Sequence, residues 1–385
     1  MVVRVLFAVL VLMGTLLSGA ALAEDVEISG SFDGYYQFSM NRPADQMIPA
    51  RSFDFRHSTF SLNYAELVVE KKAEPLGFRA DIGFGDASKV VHATEPAIVN
   101  GGSSLYQYLQ QAYVMAKVND KVQLDFGKFV TPFGAEVIET KDNWNYTRGL
   151  LFNYAVPFYH FGLRANFEYN DKVSYALYVV NGWNNVQDNN SAKSVAASVT
   201  MKPSEKFTVI ANAMVGKEEP NSLPFANTGF GGGQLSFAAP GTPTRRLLDA
   251  VLTYEVNDKL SLMANYDYGT ESHMDWKGIA AYGKVKVRDW VTVIPRYEWF
   301  QDTDGFVTGT TGQTLQETTL TFQFPVNDNS SVYVEWRSDW NRSTDPAFFH
   351  AHGYQSILVP GTIEYDMRHF QNSLLIGWTY SFTKD

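Results

Sequence analysis

The residues of this sequence that could do acid–base or metal chemistry are its seven histidines. An imidazole beside a hydroxyl or a carboxylate can activate a nucleophile. The triplet HAH at 350–352 places two imidazoles on one side of an extended segment, where they could bind a metal with Asp345 or His369. All seven lie in or beside the long connections and no nucleophile motif accompanies them, so we expect no enzyme, no catalytic or metal site and no cofactor, and we expect the HAH histidines to be solvated loop residues. The seven are His57, His92, His160, His273, His350, His352 and His369.

Other kinds of site are disfavoured by composition. The glycine-rich GFGGGQ at 229–234 lacks the Lys-Ser/Thr pair of a phosphate-binding loop, and Gly127-Lys128 lies within an alternating run. The net charge is -10 and no basic stripe is present, which argues against a nucleic-acid partner. The chain has no Cys, which excludes disulfides and thiolate metal sites.

A second group of charged residues lies at 131–158, where acids and bases are mixed with Trp144 and Tyr146. If the chain forms a hollow barrel, such a segment either caps the mouth or folds inward, and we expect it to fold inward. It would then narrow the lumen and bring opposite charges close to a passing solute. The predicted pore-lining or constriction residues are Glu136, Glu139, Lys141, Asp142 and Arg148 from the segment, with Asp125, Arg164, Glu168, Arg296 and Glu298 from the strands.

A repeated tripeptide marks the β-strands that would position these residues. Asn-Asp-Lys occurs in VNDKVQLDFGKF at 118–129, YNDKVSYALYVV at 169–180 and VNDKLSLMANYD at 256–267. Asn and Asp favour tight reversals, and the runs that follow alternate apolar with polar residues, which is the period of a β-strand. The phrases therefore predict hairpins, which a soluble β-sandwich could also contain.

The connections between strands distinguish a barrel from a sandwich. About sixteen alternating segments follow residue 24, most of them long enough to cross a bilayer as tilted strands. Short and long connections alternate, as in an all-β outer-membrane barrel with short periplasmic turns and long extracellular loops. The short ones are 73–76, 118–120, 170–171, 203–205, 257–258, 288–289 and 325–330; the long ones are 40–56, 86–104, 131–158, 184–192, 217–245, 270–275, 302–313 and 342–370.

The two faces of the strands differ in the way that a water-filled barrel requires. The last strand presents Leu374, Ile376, Trp378, Tyr380 and Phe382 on one face, which we assign to lipid. Charged residues on the opposite faces would be costly in a sandwich core but not beside water. Thirteen inward acids against six bases predict a mild cation preference. The acids are Glu27, Asp33, Glu66, Asp81, Asp125, Glu168, Asp249, Glu255, Asp267, Glu298, Glu317, Glu335 and Asp339; the bases are Arg79, Arg164, Lys284, Lys286, Arg296 and Arg337.

One strand breaks the alternation. Phe60, Leu62 and Tyr64 are out of phase with the apolar residues that follow them, and a β-bulge near Asn63 would restore a single apolar face.

The N-terminus has the features of a secretory signal peptide. Arg4 precedes an apolar run that ends in small residues, which predicts cleavage after Ala23. The alternative, a membrane anchor, is disfavoured because Glu24 and Asp25 follow directly. We therefore expect a signal peptide over 1–23 and a single transmembrane barrel domain over 24–385.

The segment 126–167 resembles the OmpL-like family of outer-membrane β-barrel porins. The resemblance rests on Gly127-Lys128-Phe129, on Thr131-Pro132-Phe133-Gly134 with Glu136, and on the return through Pro157, His160 and Gly162. It implies a porin-like barrel in the bacterial outer membrane, surrounded by lipid.

Together these patterns predict a barrel that passes small hydrophilic solutes or ions by passive diffusion, and three such barrels could associate into a homotrimer. The alternative is a surface receptor or adhesin that binds through 217–245 and 342–370.

Overall fold

The computed structural model describes residues 26–95, 98, 104–219, 243–342, 349–355 and 363–384. Sixteen antiparallel strands close into one barrel in which β1 to β15 pair in sequence order and β18 pairs with both β15 and β1. They are β1 Val26–Ser39, β2 Thr59–Lys71, β3 Leu76–Phe84, β4 Leu109–Asn119, β5 Val122–Val130, β6 Tyr159–Asn170, β7 Val173–Val180, β8 Ser194–Ser204, β9 Phe207–Lys217, β10 Thr244–Asn257, β11 Leu260–Glu271, β12 Met274–Arg288, β13 Val291–Asp302, β14 Gln313–Asn327, β15 Ser330–Asn341 and β18 Phe370–Lys384. The predicted number of strands is confirmed.

The remaining elements lie in the long connections. Strands β16 (Phe349–Gln355) and β17 (Ile363–Arg368) form a separate hairpin between β15 and β18. The helices are α1 (Asp86–Val91) and α2 (Leu150–Tyr154), with short 3-10 turns at Ser104–Tyr108 and Thr140–Asp142. Within the described ranges, no helix combines the length and the apolar character needed to span a membrane.

Some expectations fall outside these ranges. They are the signal peptide at 1–23, the GFGGGQ segment, most of the connections 217–245 and 342–370, and the side chains of the HAH triplet.

The three Asn-Asp-Lys phrases form tight turns at the same end of the barrel. In each turn the Asn side chain accepts a hydrogen bond from the backbone N–H two residues later, at 2.9 Å. Asn327 makes the same bond to the N–H of Asn329 between β14 and β15. A side chain that satisfies the turn's own backbone in this way explains why the phrase recurs at hairpins.

The predicted bulge in β2 is present. Asp33 of β1 pairs with Tyr64 and Gly34 pairs with Leu62, so Asn63 is the additional residue. Its side chain points inward, is 1% exposed and donates to Asp33 at 2.5 Å. The outward face of β18 is also as expected, since Ile376 and Trp378 are each 58% exposed.

The connection expected at 270–275 is wrong in length. β11 runs to Glu271 and β12 begins at Met274, so only Ser272 and His273 form the turn. Ser272 adopts φ 57°, which closes a two-residue hairpin. The residues at the ends of β11 and β12 are polar and resemble a loop in composition, although they continue the hydrogen-bonded pairing of the two strands.

Candidate functional site

The segment 131–158, which joins β5 to β6, crosses the inside of the barrel. Near its start, the Pro132 carbonyl accepts from the Asn212 side chain of β9 at 2.9 Å, and the Ala135 N–H donates to Asn265 of β11 at 3.1 Å. Further along, the Asn145 side chain donates to Thr321 of β14 at 2.7 Å. These strands are far from β5 and β6 in the order of the sheet. The inward course expected from the sequence is therefore present.

The tip of the segment is held at the seam where the barrel closes. The Tyr146 N–H donates to Glu335 of β15 at 2.9 Å, and its phenol donates to Asp33 of β1. The Tyr146 ring also packs against Tyr35 and Tyr333, with centroids 6.1 and 5.6 Å away. Gly377 of β18 leaves room for this ring, because a Cβ there would lie 2.2 Å from it. The tip is thus fixed by hydrogen bonds and by shape.

Two buried arginines hold the second half of the segment. Arg296 of β13 donates to Glu136 at 2.6 Å, to Glu317 at 2.7 Å and to the Thr147 carbonyl at 2.6 Å. Arg337 of β15 donates to the Arg148 carbonyl at 2.6 Å, and its other guanidinium nitrogens pair with Asp339 and Glu317. A buried ion pair adds little net stability once desolvation is counted, but removing one partner is strongly destabilising. These pairs therefore fix where the segment lies.

A second inserted loop covers the segment. Arg51, from the connection between β1 and β2, is buried and donates to Asp339 at 2.7 Å. Phe53 of the same loop packs on Phe152, and Phe152 packs on Phe158, with ring centroids 5.5 and 5.3 Å apart. The two inserted loops therefore pack against each other inside the barrel and are bound to β15.

An open cavity of about 370 Å³ remains between the segment and the wall formed by β18 and β1 to β6. Its wall carries two arginines that are each paired with carboxylates. Arg79 of β3 contacts Asp81 at 2.9 Å and Glu70 at 3.2 Å. Arg164 of β6 contacts Asp125 at 2.8 Å.

Aromatic rings limit the freedom of one of these bases. The Arg164 guanidinium lies 4.7 Å from the centroid of Phe129 and 5.2 Å from that of Tyr113. Cation–π contacts of this kind, together with the ion pair to Asp125, hold the charge in place at the surface of the cavity.

The segment contributes the opposite side of the cavity through the 3-10 turn Thr140–Asp142. Glu139, Lys141 and Asp142 all line the cavity. Lys141 and Asp142 are exposed and pair at 2.5 Å, whereas Glu139 is half-buried. Burial raises the pKa of the Glu139 carboxyl from its ordinary value. Acidic and basic side chains thus face one another across a water-accessible space.

The ten residues expected at a constriction separate into groups. Glu139, Lys141, Asp142 and Arg164 line the cavity, and Asp125 lies behind Arg164. Glu168 is exposed near the tight-turn end of β6. The others are buried contacts within or beneath the segment: Glu136, Arg148, Arg296 and Glu298. The structure therefore brings together only part of the set at the open surface.

Several residues of the site were absent from the predicted set of constriction residues, although Arg79 and Glu66 were among the predicted inward charges. Arg79 and Glu66 line the cavity and carry the strand alternation that marks inward residues, so the pattern contains a signal for them. Arg51 and Tyr146 carry no such signal as partners of the wall, because they lie in loops whose path depends on tertiary contacts.

Three of the described histidines, His57, His92 and His160, are buried and have structural contacts. His57 accepts a hydrogen bond from the Ser39 N–H at 2.9 Å, and His160 contacts the Gly182 carbonyl at 3.0 Å. Burial and the neighbouring Lys128 lower the pKa of His92 well below its usual range. Among the described residues, no group of three or more His, Cys, Asp or Glu residues is arranged to hold a metal.

Comparison with known proteins identifies the family. The model of the family described as putative beta-barrel porin-2, OmpL-like, matches residues 25–365. The chain belongs to this family. The resemblance seen in 126–167 is thereby confirmed, and the porin family together with the closed barrel places the protein in the bacterial outer membrane in the general role of a porin. Membership points to a channel rather than to an enzyme. Among curated proteins, none matches the chain.

Solved porin structures share the fold of this porin at low sequence identity. The trimer form of OmpT from Vibrio cholerae has a TM-score of 0.57 at 14% identity, covering 93% of this chain and 99% of that chain. The outer membrane channel DcaP of Acinetobacter baumannii has a TM-score of 0.57 at 13% identity, covering 93% and 97%. An anion-selective porin from Comamonas acidovorans has a TM-score of 0.56 at 8% identity, covering 93% and 99%.

Proposed function

We propose that this porin passes small hydrophilic solutes and ions by passive diffusion, along a path beside the inserted segment rather than through the centre of the barrel. The observation that carries the proposal is the cavity of about 370 Å³, which charged side chains line on both the segment and the wall. Polar and charged walls replace part of the hydration of a solute and so favour hydrophilic permeants. No covalent step and no cofactor are needed.

The predicted constriction residues take two roles in this proposal. Glu139, Lys141, Asp142 and Arg164 contact the permeating solute, and Asp125 orients Arg164. Glu136, Arg148, Arg296 and Glu298 hold the segment at a fixed distance from the open wall. Glu168 adds negative charge near the tight-turn end, which we assign to the periplasmic side.

A mild cation preference follows from the charges at the cavity. Three bases adjoin it, and six acids line it or pair with those bases. The bases are Arg79, Lys141 and Arg164; the acids are Glu66, Glu70, Asp81, Asp125, Glu139 and Asp142. At about 0.1 M salt, charges separated by more than about 10 Å are largely screened, so the preference is weak and grows in dilute salt. One porin with this fold is anion-selective, so local charges rather than the fold decide the sign.

Planar-bilayer recordings of the purified protein under a salt gradient test the proposal. We expect discrete channels and a reversal potential on the cation side. Arg164→Gln removes a base from the cavity and should increase the cation preference. Arg246→Gln makes the same charge change at an exposed site on β10 and should leave it unchanged. Well-folded protein that forms no channels would overturn the proposal, and an anion-directed potential would overturn its selectivity.

Export and assembly complete the proposal. Residues 1–23 act as a signal peptide that is removed during export, which mass spectrometry of protein isolated from membranes would test. Three barrels associate into a homotrimer surrounded by outer-membrane lipid. Support for the trimer comes from the trimeric form of OmpT, which shares the fold. Cross-linking in membranes that stops at a monomer would contradict it.

A further inference from the structure

A cluster of four polar residues lies on the inner wall beneath the start of the inserted segment. Asp249 of β10 pairs directly with Asn212 of β9 on one side and with Asp267 of β11 on the other. Asn265 of β11 completes the cluster. Asp249 is 4% exposed and Asp267 is 0% exposed, so two carboxyl groups lie side by side away from water.

The two carboxyl groups have unequal surroundings. Asp249 accepts hydrogen bonds from the Asn212 side chain at 2.5 Å and from the Asn265 side chain at 2.7 Å. Among the residues that the structure describes, none donates a hydrogen bond to either oxygen of Asp267. These donors stabilise Asp249 as an ionised carboxylate, and Asp267 lacks such stabilisation.

No basic side chain compensates a charge on Asp267 among the described residues. The other acidic groups that interact with it are Asp249 on β10 and Glu298 on β13, and neither can supply a positive charge. Arg296 and Tyr282 lie beyond Glu298 and interact with that carboxyl instead. Two adjacent buried carboxyl groups without a counter-ion do not both ionise near neutral pH, because desolvation and repulsion act together.

We propose that Asp267 is a neutral carboxylic acid whose O–H donates to Asp249, and that this bound proton is part of the anchor of the inserted segment. A small cation could also neutralise the pair, but the oxygens of Asp249 already accept amide donors. A hard cation needs six or more oxygen ligands, and no group of three acidic or histidine ligands surrounds the pair within the described ranges. The proton needs only the two carboxyl groups, which lie directly opposite each other on paired strands.

The same cluster holds the first turn of the segment. Asn212 donates to Asp249 and to the Pro132 carbonyl, while Asn265 donates to Asp249 and accepts from the Ala135 N–H. Loss of the proton leaves two negative charges in contact and disturbs the amides that bind the segment. The start of the segment is then held less firmly at alkaline pH, while Arg296, Arg337 and Glu335 continue to hold the rest.

Infrared spectroscopy in heavy water tests the protonation directly. The carbonyl band of neutral carboxylic acids should be present at about pH 7, although an unperturbed aspartic acid ionises near pH 4. Asp267→Asn should remove part of this band, while Glu168→Gln, which alters an exposed acid, should not. An unchanged band in the Asp267→Asn protein would overturn the proposal. Asn occupies the same volume and can donate to Asp249, and an unheated gel confirms that the variant barrel is folded.

Channel recordings test the consequence for the segment, and they rest on the proposed channel function. As the pH is raised above neutrality, the wild type should show increasing current fluctuations, because the buried pair loses its shared proton. Asp267→Asn should be steady throughout. A thermal stability that follows the identity of the salt cation and not the pH would assign a cation to the pair and overturn the proton. Absence of channels with the infrared result intact would refute the channel and leave the protonated pair standing.

Discussion

The phenol of Tyr146 donates a hydrogen bond to the carboxylate of Asp33, which lies 113 residues earlier in the chain. Asp33 belongs to β1, the strand that closes the barrel by pairing with β18. The same carboxylate also accepts from Thr140 and from Asn63 at the bulge of β2. The tip of the inserted segment, the bulge and the closing strand therefore meet at one buried acid.

Tyr146→Phe should loosen the tip of the segment without changing its volume. The substitution removes a hydrogen bond to a charged group, which contributes about 1.5–3 kcal/mol when buried. We expect a lower unfolding midpoint in urea and noisier single-channel currents. Tyr333→Phe is the matched control, because the Tyr333 ring packs on Tyr146 while its hydroxyl contacts Gln323 of the wall. Equal effects of the two substitutions would contradict the role of the bond to Asp33.

Gly377→Ala should displace the Tyr146 ring by steric contact. A Cβ at position 377 would lie 2.2 Å from the ring, and overpacking of this kind costs about 1–3 kcal/mol. The expected result is a destabilised barrel whose conductance differs from that of the wild type. Gly283→Ala is the control, since the nearest atom to its Cβ would be 3.4 Å away. A wild-type conductance in Gly377→Ala would show that the ring position does not set the width of the channel.

Glu139 should make the ion preference depend on pH. Its carboxyl has a raised pKa because it is buried, so it stays neutral to a higher pH than an exposed glutamate and becomes negative as the pH rises. Reversal potentials should therefore continue to move toward cations as the pH rises above about 4.3, the ordinary value of a glutamate. Glu139→Gln should reduce this change, whereas Asp142→Asn on the same turn should retain it. A pH dependence identical in wild type and Glu139→Gln would refute the assignment.

Arginine at two positions of β18 should separate the lipid face from the water face. Ile376 points outward and is 58% exposed, so Ile376→Arg places a charge in lipid at a cost of about 2–4 kcal/mol if it lies near the midplane. Ser381→Arg adds the same side chain to the cavity. The first variant should lose folded protein in lipid titrations, and the second should fold and alter conductance. Equal folding of both would mean that the register of β18 is wrong.

The sequence predicted those features of the barrel that depend on local pattern. The turns follow from Asn side chains that bond their own backbone, the facing follows from a period of two, and the bulge follows from a single break in phase at Asn63. The contact between Asp125 and Arg164 can also be predicted from the sequence, because neighbouring strands place these inward residues side by side.

The candidate site was predicted less completely, for a physical reason. Alternation shows that Arg296 and Glu298 point inward, but it does not show that the inserted segment covers them. Arg51 and Tyr146 bind the wall from loops, and contacts between loops and distant strands leave no periodic signal. Counting thirteen inward acids therefore overstated the charge that a solute meets, since Asp249, Glu317 and Asp339 are buried beneath protein.

The segment that narrows the lumen follows the fifth strand in the chain. Many of its partners, however, lie on β13, β14 and β15 and at the seam of β1 with β18. We therefore expect the lumen to be narrowed only after the last strands of the barrel have been added. A sheet containing only the first strands offers the segment few of these partners. During assembly in the membrane, the lumen of the barrel would remain wide and unobstructed until the last strands are added. Restriction of the passage is then a property acquired at the end of folding.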